Sequence, residues 1–193
     1  MNTVLTRLGF PTHPTEAYRY FIGEGMDNLV RNVLPKNHLD DKTVSKSMAG
    51  MRDEYGKHWA DNTKPYAGVP ELLCGLQERK IPKAVLSNKP DELTRIMVEK
   101  LLPDWSFRIV RGARPAMPKK PDPAAALDIA GELQIPPCRF FYLGDSNIDM
   151  QTANFAGMYA AGALWGFRTA EELLANGAKT LIKNPQDILK FFD

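Results

Sequence analysis

The hydrophobic pattern of the chain changes character near residue 65. Between Met26 and Val33 the apolar residues recur at i, i+3, i+4 and i+7, which predicts a helix that Pro35 ends. A longer apolar stripe at steps of three and four predicts a second helix from Asp41 to Asp61. We therefore predict that residues 1–65 form a small, all-helical domain.

Beyond residue 65, short apolar segments alternate with helical ones. This alternation predicts an α/β domain over residues 66–193, built on a Rossmann-like, doubly wound parallel sheet. Ligands of such sheets bind beyond the carboxyl ends of the strands. The predicted strands are Lys83 to Leu86, Phe107 to Val110, Phe140 to Leu143, Met158 to Leu164 and Thr180 to Ile182.

Composition narrows the class of protein without naming a function. The sequence is 44% apolar and 25% charged, and its net charge of +2 gives no reason to expect nucleic acid or a membrane as partner. No apolar run approaches the ~18 residues of a membrane-spanning helix. Cys74 and Cys138 lack metal-type spacing; the sequence allows a disulfide between them, but we expect two buried or partly buried thiols in a reducing cytosol. We expect a cytoplasmic protein, either a monomer or a homodimer.

Two carboxylates follow the third predicted strand. Gly144 and Asp145 come directly after that strand, and Asp149 lies four residues beyond Asp145. Carboxylate oxygens are the protein ligands that Mg²⁺ selects. Alternatively, Asp145 caps the next helix and Asp149 is a solvated acid of its first turn. The glycine before Asp145, which allows the backbone to approach a ligand closely, favours a functional role.

Two other polar segments follow strands in the same way. Ser87 and Asn88 could hold a phosphate oxygen, or they could only cap the next helix. Lys120 lies among prolines, in a loop stiff enough to hold a cation in fixed geometry against a phosphoryl group. Alone, however, a lysine is usually surface charge.

Taken together and in this order, the three segments resemble the haloacid dehalogenase-like hydrolase superfamily. Further matches narrow the resemblance to its phosphoglycolate-phosphatase-like branch: residues 65–73, Ala156-Gly157-Met158, Trp165-Gly166 and Ala170-Glu171-Glu172-Leu173. The resemblance covers essentially the whole chain and makes residues 1–65 similar to the family's cap domain, with Gly25 in a loop that faces the active site. The segments that resemble its second, third and fourth motifs are Val85-Leu86-Ser87-Asn88-Lys89-Pro90, Lys120-Pro121-Asp122-Pro123 and Leu143-Gly144-Asp145-Ser146 with Asp149.

The resemblance implies a magnesium-dependent hydrolysis of a small phosphorylated metabolite through an aspartyl-phosphate. It implies that Asp145 binds the metal, and that Asp149 either binds the metal as well or contacts a residue that does. It assigns Ser87, Asn88 and Lys120 to the phosphate, with catalytic roles for Ser87, Lys120 and Asp149, and Gly25 to the substrate side.

The family's first motif, an apolar strand followed by Asp-x-Asp-Gly-Thr, is absent, and no other Asp-x-Asp occurs in the sequence. That motif supplies the nucleophile, the general acid/base and the central strand of the sheet. We therefore expect this sequence to be part of a longer active enzyme and to be inactive as it stands. Two alternatives stay open: a catalytically inactive phosphate-binding or interaction module, and a phosphomutase of the same superfamily.

Overall fold

The computed structural model describes residues 1–192, which fall into two compact units. The first unit runs from Met1 to Lys64, and the second begins at Pro65. None of the described helices is long and apolar enough to cross a membrane.

The first unit is built from helices and 3₁₀ turns, and its described residues include no strand. Apolar faces of the helices form its core around Leu5, Val30 and Val33, which are at most 2% exposed. The Asp40 side chain caps the longest helix by accepting a hydrogen bond from the Thr43 N–H at 2.9 Å. The helices are α1 (Asn2–Arg7), α2 (Tyr18–Phe21), α3 (Met26–Val33) and α4 (Asp41–His58).

The second unit alternates helices and strands in the order that the sequence predicts. Its helices are α5 (Val69–Glu78), α6 (Asp91–Leu101), α7 (Ala124–Leu133), α8 (Asn147–Phe155) and α9 (Ala170–Ala175). Its strands are β1 (Ala84–Pro90), β2 (Ile109–Ala113), β3 (Phe141–Gly144), β4 (Tyr159–Ala163) and β5 (Thr180–Ile182).

The strands form two parallel sheets, β1-β2 and β3-β4-β5. Leu86 of β1 and Tyr142 of β3 nevertheless pack against one hydrophobic cluster, which is centred on Met150, Ala153 and Ala160. The two sheets therefore share a core, and the α/β class with parallel strands is confirmed.

One edge of β3 lacks a strand partner within the described chain. The Phe140 carbonyl accepts a hydrogen bond from the Tyr159 N–H on the β4 side. Because backbone groups alternate between the two edges of a strand, those of Phe141 and Leu143 point to the other edge. Strands of a covered parallel sheet are normally buried on both faces, yet Leu143 is 37% exposed whereas Ala160 and Ala161 of β4 are fully buried.

Several details differ from the sequence-based expectations. β1 extends to Pro90 through an irregular register after Leu86, so Ser87 and Asn88 lie within its carboxyl end. The last helical segment, Pro185–Phe191, is a 3₁₀ helix. The expectation of buried thiols is wrong, because Cys74 and Cys138 are both free and exposed.

Asp91 joins the start of α6 to β2. Its carboxylate accepts hydrogen bonds from the Gly112 N–H at 2.8 Å and from the guanidinium groups of Arg95 at 3.0 Å and Arg114 at 3.3 Å. Burial opposes the charged form, but these three donors outweigh it and lower the pKa of Asp91 to about 2. This link fixes the segment that follows Ser87 and Asn88 against the neighbouring strand.

We predict that replacing Asp91 with Asn lowers the free energy of unfolding by about 1–2 kcal/mol at pH 7. Because the folded pKa lies below the ordinary value near 3.9, the carboxylate stabilises the fold above pH ~4 and loses this contribution as the pH falls towards 2. Urea unfolding at pH 7, 4 and 2.5 should show the two proteins converging at low pH. Asp104→Asn, at an exposed position, is the control, and a pH-independent difference would contradict the prediction.

Candidate active site

The candidate residues of the second unit gather at the carboxyl ends of β1 and β3. β1 delivers Ser87 and Asn88, and β3 leads into Asp145. Asp149 lies in the first turn of α8. Lys120 comes from the loop between β2 and α7. Since parallel strands end at the same side of a sheet, segments that are far apart in sequence meet there.

A buried ion pair occupies the centre of this group. The Lys120 Nζ donates to Asp149 Oδ1 at 2.6 Å, and the two side chains are only 11% and 10% exposed. Burial alone would lower the pKa of Lys120 and raise that of Asp149, but the attraction between the two charges more than offsets it. The pKa of Lys120 is therefore raised, that of Asp149 is lowered, and both groups are charged at neutral pH.

The second oxygen of Asp149 is also engaged. The Ser146 hydroxyl donates to Asp149 Oδ2 at 2.6 Å, while the Asp149 N–H donates to Ser146 Oγ at 3.2 Å. Ser146 is thereby the N-cap of α8. Each carboxylate oxygen of Asp149 thus accepts a hydrogen bond, one from a cation and one from a hydroxyl.

Lys120 is held through its main chain as well as its ammonium. The Asn88 Nδ2 donates to the Lys120 carbonyl at 2.9 Å, and the Lys120 N–H donates to Asn88 Oδ1 at 2.9 Å. The Lys120 Nζ also donates to the Leu86 carbonyl at 3.2 Å. These contacts tie the Lys120 loop to the end of β1.

Ser87 lies beside these contacts, between Leu86 and Asn88. Its side chain is half-buried, and its Oγ accepts a hydrogen bond from the Lys89 N–H at 3.1 Å. The Ser87 O–H is a donor as well as an acceptor. A serine in this position can donate to an anion at the mouth of the site.

Asp145 packs directly on backbone that only glycine permits. A Cβ on Gly166 would lie 2.1 Å from the Asp145 Cβ, and a Cβ on Gly144 would lie 2.1 Å from the Asp149 Cβ. The Phe167 N–H donates to Asp145 Oδ2 at 3.1 Å. Burial, and then the nearby Asp149 charge, raise the pKa of Asp145. Its negative charge is therefore less well compensated than that of Asp149.

Tyr142 is a member of the group that sequence reasoning missed. Burial raises its pKa to about 12, and its hydroxyl interacts with Lys120 and Thr152. The sequence offers no signal for this role, because Tyr142 reads as one more large residue in a hydrophobic strand. Gly166 and Phe167 carry a weak signal, since they follow the predicted fourth strand.

Gly25, the remaining predicted site residue, belongs to the first unit. It is the N-cap of α3 with φ +96°, a backbone conformation that favours glycine. Its predicted role on the substrate side stays a prediction.

The carboxylate oxygens at the carboxyl ends of β1 and β3 fit a hard cation that keeps most of its coordinated water molecules. Among residues 1–192, no group of three or more His, Cys, Asp or Glu side chains could enclose a metal ion. Mg²⁺ commonly uses only one or two protein carboxylates. Asp145, with its under-compensated charge, meets that requirement, whereas both oxygens of Asp149 already accept hydrogen bonds.

The sequence model of the haloacid dehalogenase-like hydrolases matches residues 1–163 of this chain. A phosphoglycolate phosphatase of Pseudomonas syringae pv. tomato is 32% identical over 173 residues, which are 86% of this chain and 62% of that protein. A phosphoglycolate phosphatase of Pseudomonas putida is 28% identical over 193 residues, covering 98% of this chain and 71% of that protein. The chain thus spans less than two thirds of the first of these relatives.

Solved structures agree on the fold. A predicted phosphoglycolate phosphatase from Haemophilus somnus superposes with a TM-score of 0.91 at 22% identity, over 100% of this chain and 88% of that one. A haloacid dehalogenase-like hydrolase from Streptococcus pneumoniae gives 0.86 at 19% identity, over 98% and 87%. At these identities the likeness concerns the fold alone.

We predict that Gly144→Ala destabilises the protein by about 1–3 kcal/mol or more, because the new methyl group overlaps the Asp149 side chain. Gly131→Ala is the matched control: its methyl group meets open space within α7 and should be neutral or stabilise by up to about 1 kcal/mol. Thermal and urea unfolding of the two variants check this. Equal effects of the two substitutions would show that the close approach at Gly144 has no energetic weight.

A second prediction concerns the ion pair. Lys120→Met should lower the free energy of unfolding by about 3–5 kcal/mol, because it leaves the Asp149 charge buried without its cation. Adding Asp149→Asn should restore much of this loss. Urea unfolding of the two single variants and the double variant measures the coupling. Additive losses in the double variant would contradict the pairing.

Proposed function

The chain belongs to the haloacid dehalogenase-like hydrolase family, and we propose that it supplies most of the active site of a magnesium-dependent phosphatase. The proposed substrates are small phosphomonoesters such as phosphoglycolate. One observation supports this proposal most strongly: Lys120, Ser87 and Asp145 meet at the carboxyl ends of the parallel strands. Asp149 and Asn88 hold Lys120 in place there. The names of the two Pseudomonas relatives support this substrate class.

The proposed roles follow from charge and hydrogen-bonding capacity. A transferring phosphoryl group carries negative charge on its peripheral oxygens, so preorganised donors lower the barrier. The Lys120 ammonium supplies a fixed positive charge, and the Ser87 hydroxyl supplies a donor. Asp149 holds the ammonium in place and keeps it protonated. The site thus binds and orients a phosphate group.

Asp145 would hold the magnesium ion. Its carboxylate is anchored by the Phe167 N–H and packs on Gly166, so its direction is set before any ligand arrives. When bound, the ion supplies positive charge that offsets the charge of the phosphate and of Asp145 itself. Burial and the Asp149 charge raise the pKa of Asp145, and a bound cation would favour its charged form.

The nucleophile is the remaining requirement. The sequence holds no Asp-x-Asp, the pair that the family uses for attack and for proton transfer. We propose that a further strand, outside residues 1–193, carries this pair and lies between β1 and β3. The unpaired edge of β3 and the exposure of Leu143 support a missing neighbour at this place.

In the proposed reaction, a carboxylate oxygen of the first aspartate attacks phosphorus and displaces the alcohol of the ester. The second aspartate gives its proton to the leaving oxygen. Water, losing a proton to that second aspartate, then attacks the phosphorus of the aspartyl-phosphate. Inorganic phosphate leaves and the first carboxylate is restored.

The direct test compares this chain with one extended by the coding sequence upstream of Met1. We expect phosphate release from p-nitrophenyl phosphate or 2-phosphoglycolate only with the extended chain and only with Mg²⁺. Asp145→Asn should lower kcat/KM by at least about a hundredfold, equivalent to ~2.7 kcal/mol. Asp104→Asn, at an exposed position, is the control.

A structural measurement complements the activity assay. Amide hydrogen exchange at Phe141 and Leu143 should slow in the extended chain if a new strand pairs with the open edge of β3. An extended chain that is folded yet inert on a broad panel of phosphomonoesters would favour a phosphate-binding or interaction module. Turnover of a sugar phosphate without release of inorganic phosphate would indicate a phosphomutase.

A further inference from the structure

We propose that Asn88 is a positioning residue, whose carboxamide holds the main chain of Lys120 and which acts on a bound phosphate only through the Lys120 ammonium. Sequence reasoning places Asn88 among the direct phosphate ligands. The structure favours different roles for these two neighbours: Ser87 can donate to the phosphate, whereas Asn88 holds Lys120. This proposal adds a residue role to the proposed phosphatase function, and its kinetic test rests on that function.

The contacts of Asn88 form a two-point clip. Its Nδ2 donates to the Lys120 carbonyl and its Oδ1 accepts from the Lys120 N–H, both at 2.9 Å. The two residues are 32 positions apart in sequence, and Asn88 is 7% exposed. Both polar ends of the carboxamide are therefore committed to the peptide groups on either side of a single residue.

This arrangement fixes the backbone from which the lysine side chain projects. The Lys120 ammonium lies between the Leu86 carbonyl at 3.2 Å and Asp149 Oδ1 at 2.6 Å. A flexible four-carbon side chain reaches such a point reproducibly only if its backbone is held. Asn88 and Asp149 thus hold the two ends of the same residue.

The chemistry of the clip requires a carboxamide. Its donor and acceptor meet the carbonyl and the N–H of one residue at the same time, which neither a hydroxyl nor a carboxylate of this length reproduces. An aspartate would keep the acceptor, lose the donor, and bring a negative charge towards the Lys120 carbonyl. An alanine would leave the Lys120 N–H and carbonyl without this partner in a partly buried setting.

A double-mutant cycle on the active, extended protein separates the two roles. We expect Asn88→Ala to lower kcat/KM by about tenfold or more, but by less than about twofold when Lys120 is already Met. Inhibition by inorganic phosphate should follow the same pattern. If Asn88→Ala lowers kcat/KM by the same factor with Lys120 and with Met at position 120, the Asn88 side chain contacts phosphate directly and the proposal is wrong.

A second arm needs neither activity nor the Lys120 variant. Amide hydrogen exchange on the 193-residue chain should show the Lys120 N–H exchanging at least about tenfold faster in Asn88→Ala, and unchanged in Ser87→Ala. Asn154→Ala is the matched control, since that amide also bonds two main-chain carbonyls, those of Met150 at 2.7 Å and Gly177 at 2.9 Å. Unaltered exchange at Lys120 in Asn88→Ala overturns the clip even if the extended protein proves inert.

Discussion

The buried pair of Lys120 and Asp149 is the interaction on which the organisation of the site depends. Neither charge could stay in this setting alone, because removing a charged group from water costs several kcal/mol unless a partner compensates it. The pair therefore joins the loop after β2 to the start of α8, and the contacts of Lys120 with Asn88 and Leu86 add the end of β1. Asn88 and Leu86 hold the lysine from one side, and Ser146 holds the aspartate from the other.

Asp145 stands outside this compensation although it lies close by. The Asp149 carboxylate accepts hydrogen bonds from the Lys120 ammonium and the Ser146 hydroxyl. The Asp145 carboxylate accepts one from the Phe167 N–H and is repelled by the Asp149 charge. Two carboxylates four residues apart thus acquire opposite pKa shifts from their surroundings. Such a division is how one scaffold assigns different tasks to chemically identical groups.

The architecture of the second unit could be predicted because its strands are short apolar segments separated by helices with clear ends. The polar residues at the carboxyl ends of the strands could be found for the same reason.

The role of Asn88 could not be predicted from the sequence. An asparagine after a strand offers the same donor and acceptor to a ligand or to a distant peptide group, and only the folded chain shows which one it meets. Tyr142 was missed because its hydroxyl acquires a partner only when Lys120 arrives from another segment. The exposure of Cys74 and Cys138 depends on which helix face turns outward, and a single cysteine does not report that.

The open edge of β3 has a consequence for the handling of the molecule. Unpaired backbone groups beside exposed apolar side chains such as Leu143 are a template on which another polypeptide can add a strand. Proteins normally shield such an edge with charge, proline or a covering element, because otherwise chains associate through it. We therefore expect the 193-residue chain to self-associate through this edge as its concentration rises.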